Sequence, residues 1–212
     1  MDNKGGIVVQ NYVMEGVGRI SGGEFDTITV KGVGTCSDSI KAENIHVEGV
    51  FNCSGEAVTG LLHCAGVSEF KSNIRAKRIT IEGVLTQKEG TRIEAEEIIC
   101  DGLLKTGGEI SADIIKADGC IVAKEIFGDQ VKIKSYYRAK RIVNFFTREK
   151  SEIRLIEATT IELKGVTADI VNGRDITIEA NCIIDKIDCS GVLYIDKSST
   201  VNTITGNYTR RD

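Results

Sequence analysis

The sequence predicts an all-β fold: a right-handed parallel β-helix (solenoid) of 16–19-residue coils with a less regular C-terminal part. Three observations predict it. A short motif recurs along nearly the whole chain, apolar residues alternate within each copy, and 23 glycines stand against no proline in 212 residues. Alternation is the period of a strand and not of a helix. A proline in any coil would delete a donor from the ladder between coils.

The motif is clearest in IKAENIHVEGV from Ile40, IRAKRITIEGV from Ile74, IEAEEIICDGL from Ile93, ISADIIKADGC from Ile110 and IEATTIELKGV from Ile156. Units begin at residues 7, 23, 40, 57, 74, 93, 110, 126, 137, 156, 171, 182 and 199. Their sixth position holds Tyr12, Ile28, Ile45, Leu62, Ile79, Ile98, Ile115, Val131, Ile142, Ile161, Ile176, Ile187 and Ile204. Positions 1, 3, 6 and 8 are apolar, with one phase slip between 3 and 6 where the chain turns a corner. Alanine at position 3 (Ala42, Ala76, Ala95, Ala112, Ala139, Ala158) suits the inside of a tight corner. Glycine at position 10 suits a turn that needs positive φ or close packing of neighbouring coils.

Equivalent residues then stack about 4.8 Å apart, and each buried Ile or Val contributes roughly 1.5–3 kcal/mol. The right hand follows from the handedness of parallel crossovers. A left-handed helix would show a hexad repeat, which the five-residue step from Ile40 to Ile45 does not fit. Two intervals of 11 residues, 126 to 137 and 171 to 182, are too short for a coil. The chain accordingly divides into a regular β-helix over 7–135, an irregular aromatic and basic excursion over 136–155, and a less regular β-helical continuation over 156–209.

Composition narrows the function classes. Lys+Arg number 27 against 31 Asp+Glu, a net charge of −4, which argues against general nucleic-acid binding. The opening MDNKGGIVVQNYVMEG has neither the apolar core nor the cleavage site of a signal peptide. No stretch approaches the ~18 apolar residues of a membrane span. Seven cysteines, an odd number without a CxxC pair, fit a reduced compartment. A cytoplasmic protein without a cofactor is the expectation.

Candidate sites fall on repeat positions. Cys64, Cys100 and Cys189 take the eighth position, Cys120 replaces the Val after Gly, and Cys36 and Cys53 share a turn position one coil apart. All read as small ladder hydrophobes. His46 and His63 both take the outward seventh position on successive coils, with Glu48 nearby, and lack a third strong metal ligand. Glu82, Asp101 and Asp118 stack at position 9, where Lys116 and Lys105 can offset their charge. An enzyme acting on carbohydrate or acyl groups would use the His pair or this acidic stack. The basic cluster Arg75, Lys77 and Arg78 faces Glu94, Glu96 and Glu97 in the next coil, as cross-rung pairs. The cluster Arg138, Lys140 and Arg141 faces Glu157 alone. It lies beside Tyr136, Tyr137, Phe145 and Phe146, so 136–148 is a candidate partner surface of an adaptor.

The units IKAENIHVEG and IEAEEIICDG, with SGG at Ser21–Gly23, resemble the bactofilin-like, polymer-forming cytoskeletal family of bacteria over about residues 7–208. The irregular VTADIVNGRDITIEANCIIDKI is similar to the longer relatives. The resemblance implies a non-enzymatic scaffold that polymerises end to end without nucleotide, in some relatives at a membrane. It implies no catalytic, metal or cofactor residues. An open β-helix end is a template for another chain. The expected self-assembly residues are Ile7, Val9, Tyr12 and Met14 at one end and Val201 and Ile204 at the other. Arg210 and Arg211 blunt the second end.

Overall fold

The computed structural model describes residues 10–135 and 150–211. Every regular element among them is a β-strand, and the strands pair in parallel throughout. The fold is the parallel β-solenoid that the repeat predicts, in about 11 turns. Its central ladder runs Tyr12, Ile28, Ile45, Leu62, Ile79, Ile98, Ile115, Val131, Ile161, Ile176 and Leu193, each paired with the next. Ile28, Ile45, Leu62, Ile98, Ile115 and Ile161 are wholly buried. Among the described residues no helix is long and apolar enough to cross a membrane.

The phase slip is a bend inside a continuous strand. In Ile40–Val47 and Ala57–Cys64, Ala42 pairs with Thr59 and Asn44 with Leu61, while Glu43 and Gly60 drop out of the ladder. The Glu96–Asp113 and Thr159–Arg174 positions drop out in the same way. Each coil therefore has a corner at position 4, with the small side chains of position 3 on its inner side.

The second corner is built on stacked glycines. A Cβ on Gly66 would lie 2.0 Å from the Gly49 carbonyl oxygen, and one on Gly83 would lie 2.0 Å from that of Gly66. The described positive-φ glycines are Gly23, Gly90, Gly165 and Gly206. Close approach of backbones, and not a left-handed conformation, thus selects glycine from Gly32 to Gly119.

Four-residue strands such as Val50–Cys53 close the third face. Cys36 and Cys53 pair in register inside these strands and are buried, so they hold a strand position and not the expected turn. Two coils on, Gln87 enters the same interior ladder. Its Nε2 donates to the Ser72 and Arg92 carbonyls, each at 3.0 Å, and its Oε1 accepts from Thr106 Oγ1 at 3.0 Å. The buried amide is satisfied, as burial demands.

Both short intervals prove to be errors of register. Ile126 pairs directly with Ile156, so the unit placed at 137, with Ala139 and Ile142, falls outside the ladder and outside the described residues. Ser151–Lys164 is one strand, so residues 151–155 belong to the solenoid and not to the excursion. Further on, Ile187 pairs with Val171 and with Ile204, while Leu193 pairs with Ile176. Ile187 and Ile204 therefore continue the Ile40 ladder and not the Ile45 ladder.

Candidate functional site

The structure joins two of the sequence-derived sites. His46 and His63 stack with ring centroids 5.9 Å apart at an interplanar angle of 78°. His63 Nε2 lies 3.5 Å from Glu82 Oε1, so its carboxylate neighbour comes from the acidic stack and is not the expected Glu48. Glu82, Asp101 and Asp118 are exposed at the glycine corner, where the Glu82 and Asp101 amides donate to the Cys64 and Ile81 carbonyls at 2.9 and 2.8 Å. Lys116 reaches Glu97 at 3.6 Å and leaves the acidic stack. Among the described residues no group of three His, Cys, Asp or Glu converges in a way that could hold a metal ion.

The cysteines are packing residues. All except Cys120 are buried, and none forms a disulfide. Burial, with Cys36 alongside, pushes the Cys53 thiol up to about 12, and burial does the same for Cys100. Both are protonated and unreactive at neutral pH.

Two of the three expected cross-rung pairs form, while Lys77 and Glu96 sit at the corner outside the ladder and make no ion pair with a described residue. Arg75 reaches Glu94 at 2.9 Å and Glu56 at 3.4 Å, and Arg78 pairs with Glu97. Lys41 meets Glu24 at 3.3 Å. Deeper, Lys134 is held between Glu162 at 2.6 Å and Glu179 at 2.9 Å, with Lys132 on Glu162 at 2.9 Å. Burial alone would raise the Glu162 carboxyl, but the hydrogen bonds from Lys134 and Lys132 outweigh it and hold the group at about 2. Hydrogen bonds from Glu162 and Glu179 raise the Lys134 ammonium above its ordinary value.

The expected partner surface, Tyr136, Tyr137, Arg138, Arg141, Phe145 and Phe146, lies outside the described residues, as do Ile7 and Val9. With Ile126 paired to Ile156, the rung neighbours of Glu157 are Phe127 and Asn172, and the basic cluster assigned to it lies outside the described residues.

The ends carry the remaining expected residues. Tyr12 is half-buried, packs on Phe25 edge to face at 6.2 Å, and pairs inward with Ile28. Met14 is buried at 6% exposure, and beside it Val17 is 86% exposed. At the other end Val201 and Ile204 are partly buried on Ile184 and Ile187, which are wholly buried. Leu193 pairs outward with Arg210, so a guanidinium-bearing residue sits on the central ladder, and Arg211 lies over the Tyr194 ring at 5.4 Å. Among the described residues nothing pairs with the outer edges of Gln10–Met14 or Thr200–Thr205.

The sequence reading missed a groove along the corner at position 4. Over the C-terminal coils it has a volume of about 590 Å³ and is floored by Gly128, Ala158 and Gly173. Corrected pairing of Ile126 with Ile156 would have exposed it, because that register alone stacks Phe127, Glu157, Asn172 and Asp188 in one row. No family model, curated protein or solved structure matches the chain.

Proposed function

We propose that the protein is a non-enzymatic structural scaffold that assembles end to end through its terminal coils without a nucleotide. One observation carries the reading: among the described residues the apolar ladders run through the first and last coils and are partly exposed there. Tyr12, Val201 and Ile204 are half-buried where the residues stacked on them, Ile28, Ile184 and Ile187, have no exposed surface. A strand edge with unpaired backbone groups beside apolar surface favours pairing with another chain. Closing it gains about 25 cal/mol for each Å² of apolar area removed from water. Arg210 on the central ladder would have to be desolvated at a closed C-terminal junction, so the N-terminal rung is the stronger contact. The resemblance of the repeat units to bactofilins points the same way and suggests a cytoskeletal role.

Negative-stain microscopy and multi-angle light scattering of the purified chain, without nucleotide, test this. Dimers or filaments at tens of micromolar are expected, and Tyr12→Asp should reduce them while leaving the β-sheet circular dichroism intact. A monomer throughout that range would overturn the reading.

A further inference from the structure

The row at position 2 carries cross-rung ion pairs on the earlier coils and none over the groove of the C-terminal coils, among the described residues. On the earlier coils the same row carries Lys41 with Glu24 and Arg75 with Glu94. From Phe127 onward the row reads Phe127, Glu157, Asn172 and Asp188, stacked one per coil. Glu157 and Asn172 make no hydrogen bond or ion pair with any described side chain, and Asp188 receives one from Thr205 Oγ1 at 3.0 Å. Across the floor, Thr159 and Arg174 form the opposite wall. The Arg174 guanidinium has Asp175 at 3.5 Å and remains largely exposed.

We propose that this groove binds an extended, neutral glycan laid along the solenoid axis, one sugar ring per coil. Four features select that class. The row presents a planar carboxylate, amide or carboxylate at each coil, about 4.8 Å apart, close to the span of one pyranose ring. Each planar group can take a pair of adjacent hydroxyls, with carboxylates accepting and the amide both donating and accepting. Phe127, half-buried at one end, offers an apolar face of the kind that packs against the C–H face of a sugar. The floor residues Gly128, Ala158 and Gly173 leave the rings room between the walls.

Other ligands fit worse. A nucleic acid or an acidic polysaccharide would meet Glu157 and Asp188 against Arg174, the one cationic side chain among the described residues that line the groove. An extended peptide binds a sheet by its unpaired edge, and the strands of these coils are paired on both edges. The proposal does not depend on end-to-end assembly, and adds a side-on binding surface to it.

Isothermal titration of the full chain with cellohexaose tests it, with polygalacturonate and free glucose as comparison probes. Binding of cellohexaose is expected, with glucose and polygalacturonate much weaker. Glu157→Gln and Asn172→Ala should each weaken it about tenfold, the scale of one lost hydrogen bond in a partly desolvated site, and Phe127→Ala should do the same. Arg75→Ala, in the paired stretch of the same row, should leave binding unchanged, and thermal melts should show all variants folded. Absence of cellohexaose binding overturns the proposal. So does binding that survives all three groove substitutions, or binding that Arg75→Ala reduces as much as they do.

Discussion

Ser135 Oγ and Ser151 Oγ share a hydrogen bond, which joins the end of Cys120–Lys134 to the start of Ser151–Lys164. Ser151 is wholly buried and also accepts from the Ile121 amide at 3.0 Å. Ser135 is tied down further, its amide donating to the Lys164 carbonyl at 2.9 Å. The coils on either side of this clasp, Cys120–Lys134 and Ser151–Lys164, pair along most of their length.

Ser151→Ala should leave the Ile121 amide buried without its acceptor. A loss of about 1–3 kcal/mol is expected, read from the urea midpoint at constant slope. Ser135→Ala, which leaves that amide satisfied, should cost less.

Alanine at the stacked glycines separates crowding from backbone conformation. Gly66→Ala would force a methyl against the Gly49 carbonyl and should cost about 4 kcal/mol or more. Gly16 has nothing within 4 Å of the corresponding point, so Gly16→Ala should be nearly neutral. Equal effects in the two thermal melts would contradict the stacked corner.

The Lys134–Glu162–Glu179 network fixes a pH response. Glu162 titrates near 2 in the folded chain against an ordinary 4.5, so its contribution to stability is complete above about 4.5 and is lost as pH falls toward 2. Lys134 is raised above its ordinary 10.5, so its contribution is complete below that value and is lost as pH rises beyond it. Denaturation midpoints of Glu162→Gln should therefore fall less steeply than wild type between pH 4.5 and 2. Parallel acid limbs would remove the network from the account.

Alkylation distinguishes the thiols. Iodoacetamide at pH 8 should modify Cys120 first in the native chain, since it alone of the seven is not buried. Cys53 and Cys100, held up to about 12, should react after denaturation. Peptide mass spectrometry reads the order directly.

Alternation made the ladder from Ile28 to Val131 legible in the sequence, because burial on one side of a strand leaves a period of two. The C-terminal register was not legible, for a geometric reason. The step from Ile156 to Ile161 crosses the position-4 corner in five residues, and the step from Cys182 to Ile187 crosses a different corner, also in five. A pattern of spacings cannot tell one corner from the other, whereas the pairing of Ile187 with Val171 does. The same ambiguity hid the groove, since Phe127 and Glu157 are 30 residues apart in the chain and adjacent in the fold.

Ile40, Ala57 and Ile74 follow one another in register at intervals of 17 residues, and the corners around them repeat without change. Such a body has a length that is independent of its width. Excising one whole period, residues 57–73, would bring Ile74 onto Ile40 and shorten the rod by a single rise of about 4.8 Å, leaving both tips and the groove unaltered. Excising 16 residues would leave one extra residue for a corner to absorb, as the 19-residue coil from Ile79 to Ile98 already absorbs two. The chain is in this sense a graduated ruler, and its reach can be reset in whole graduations.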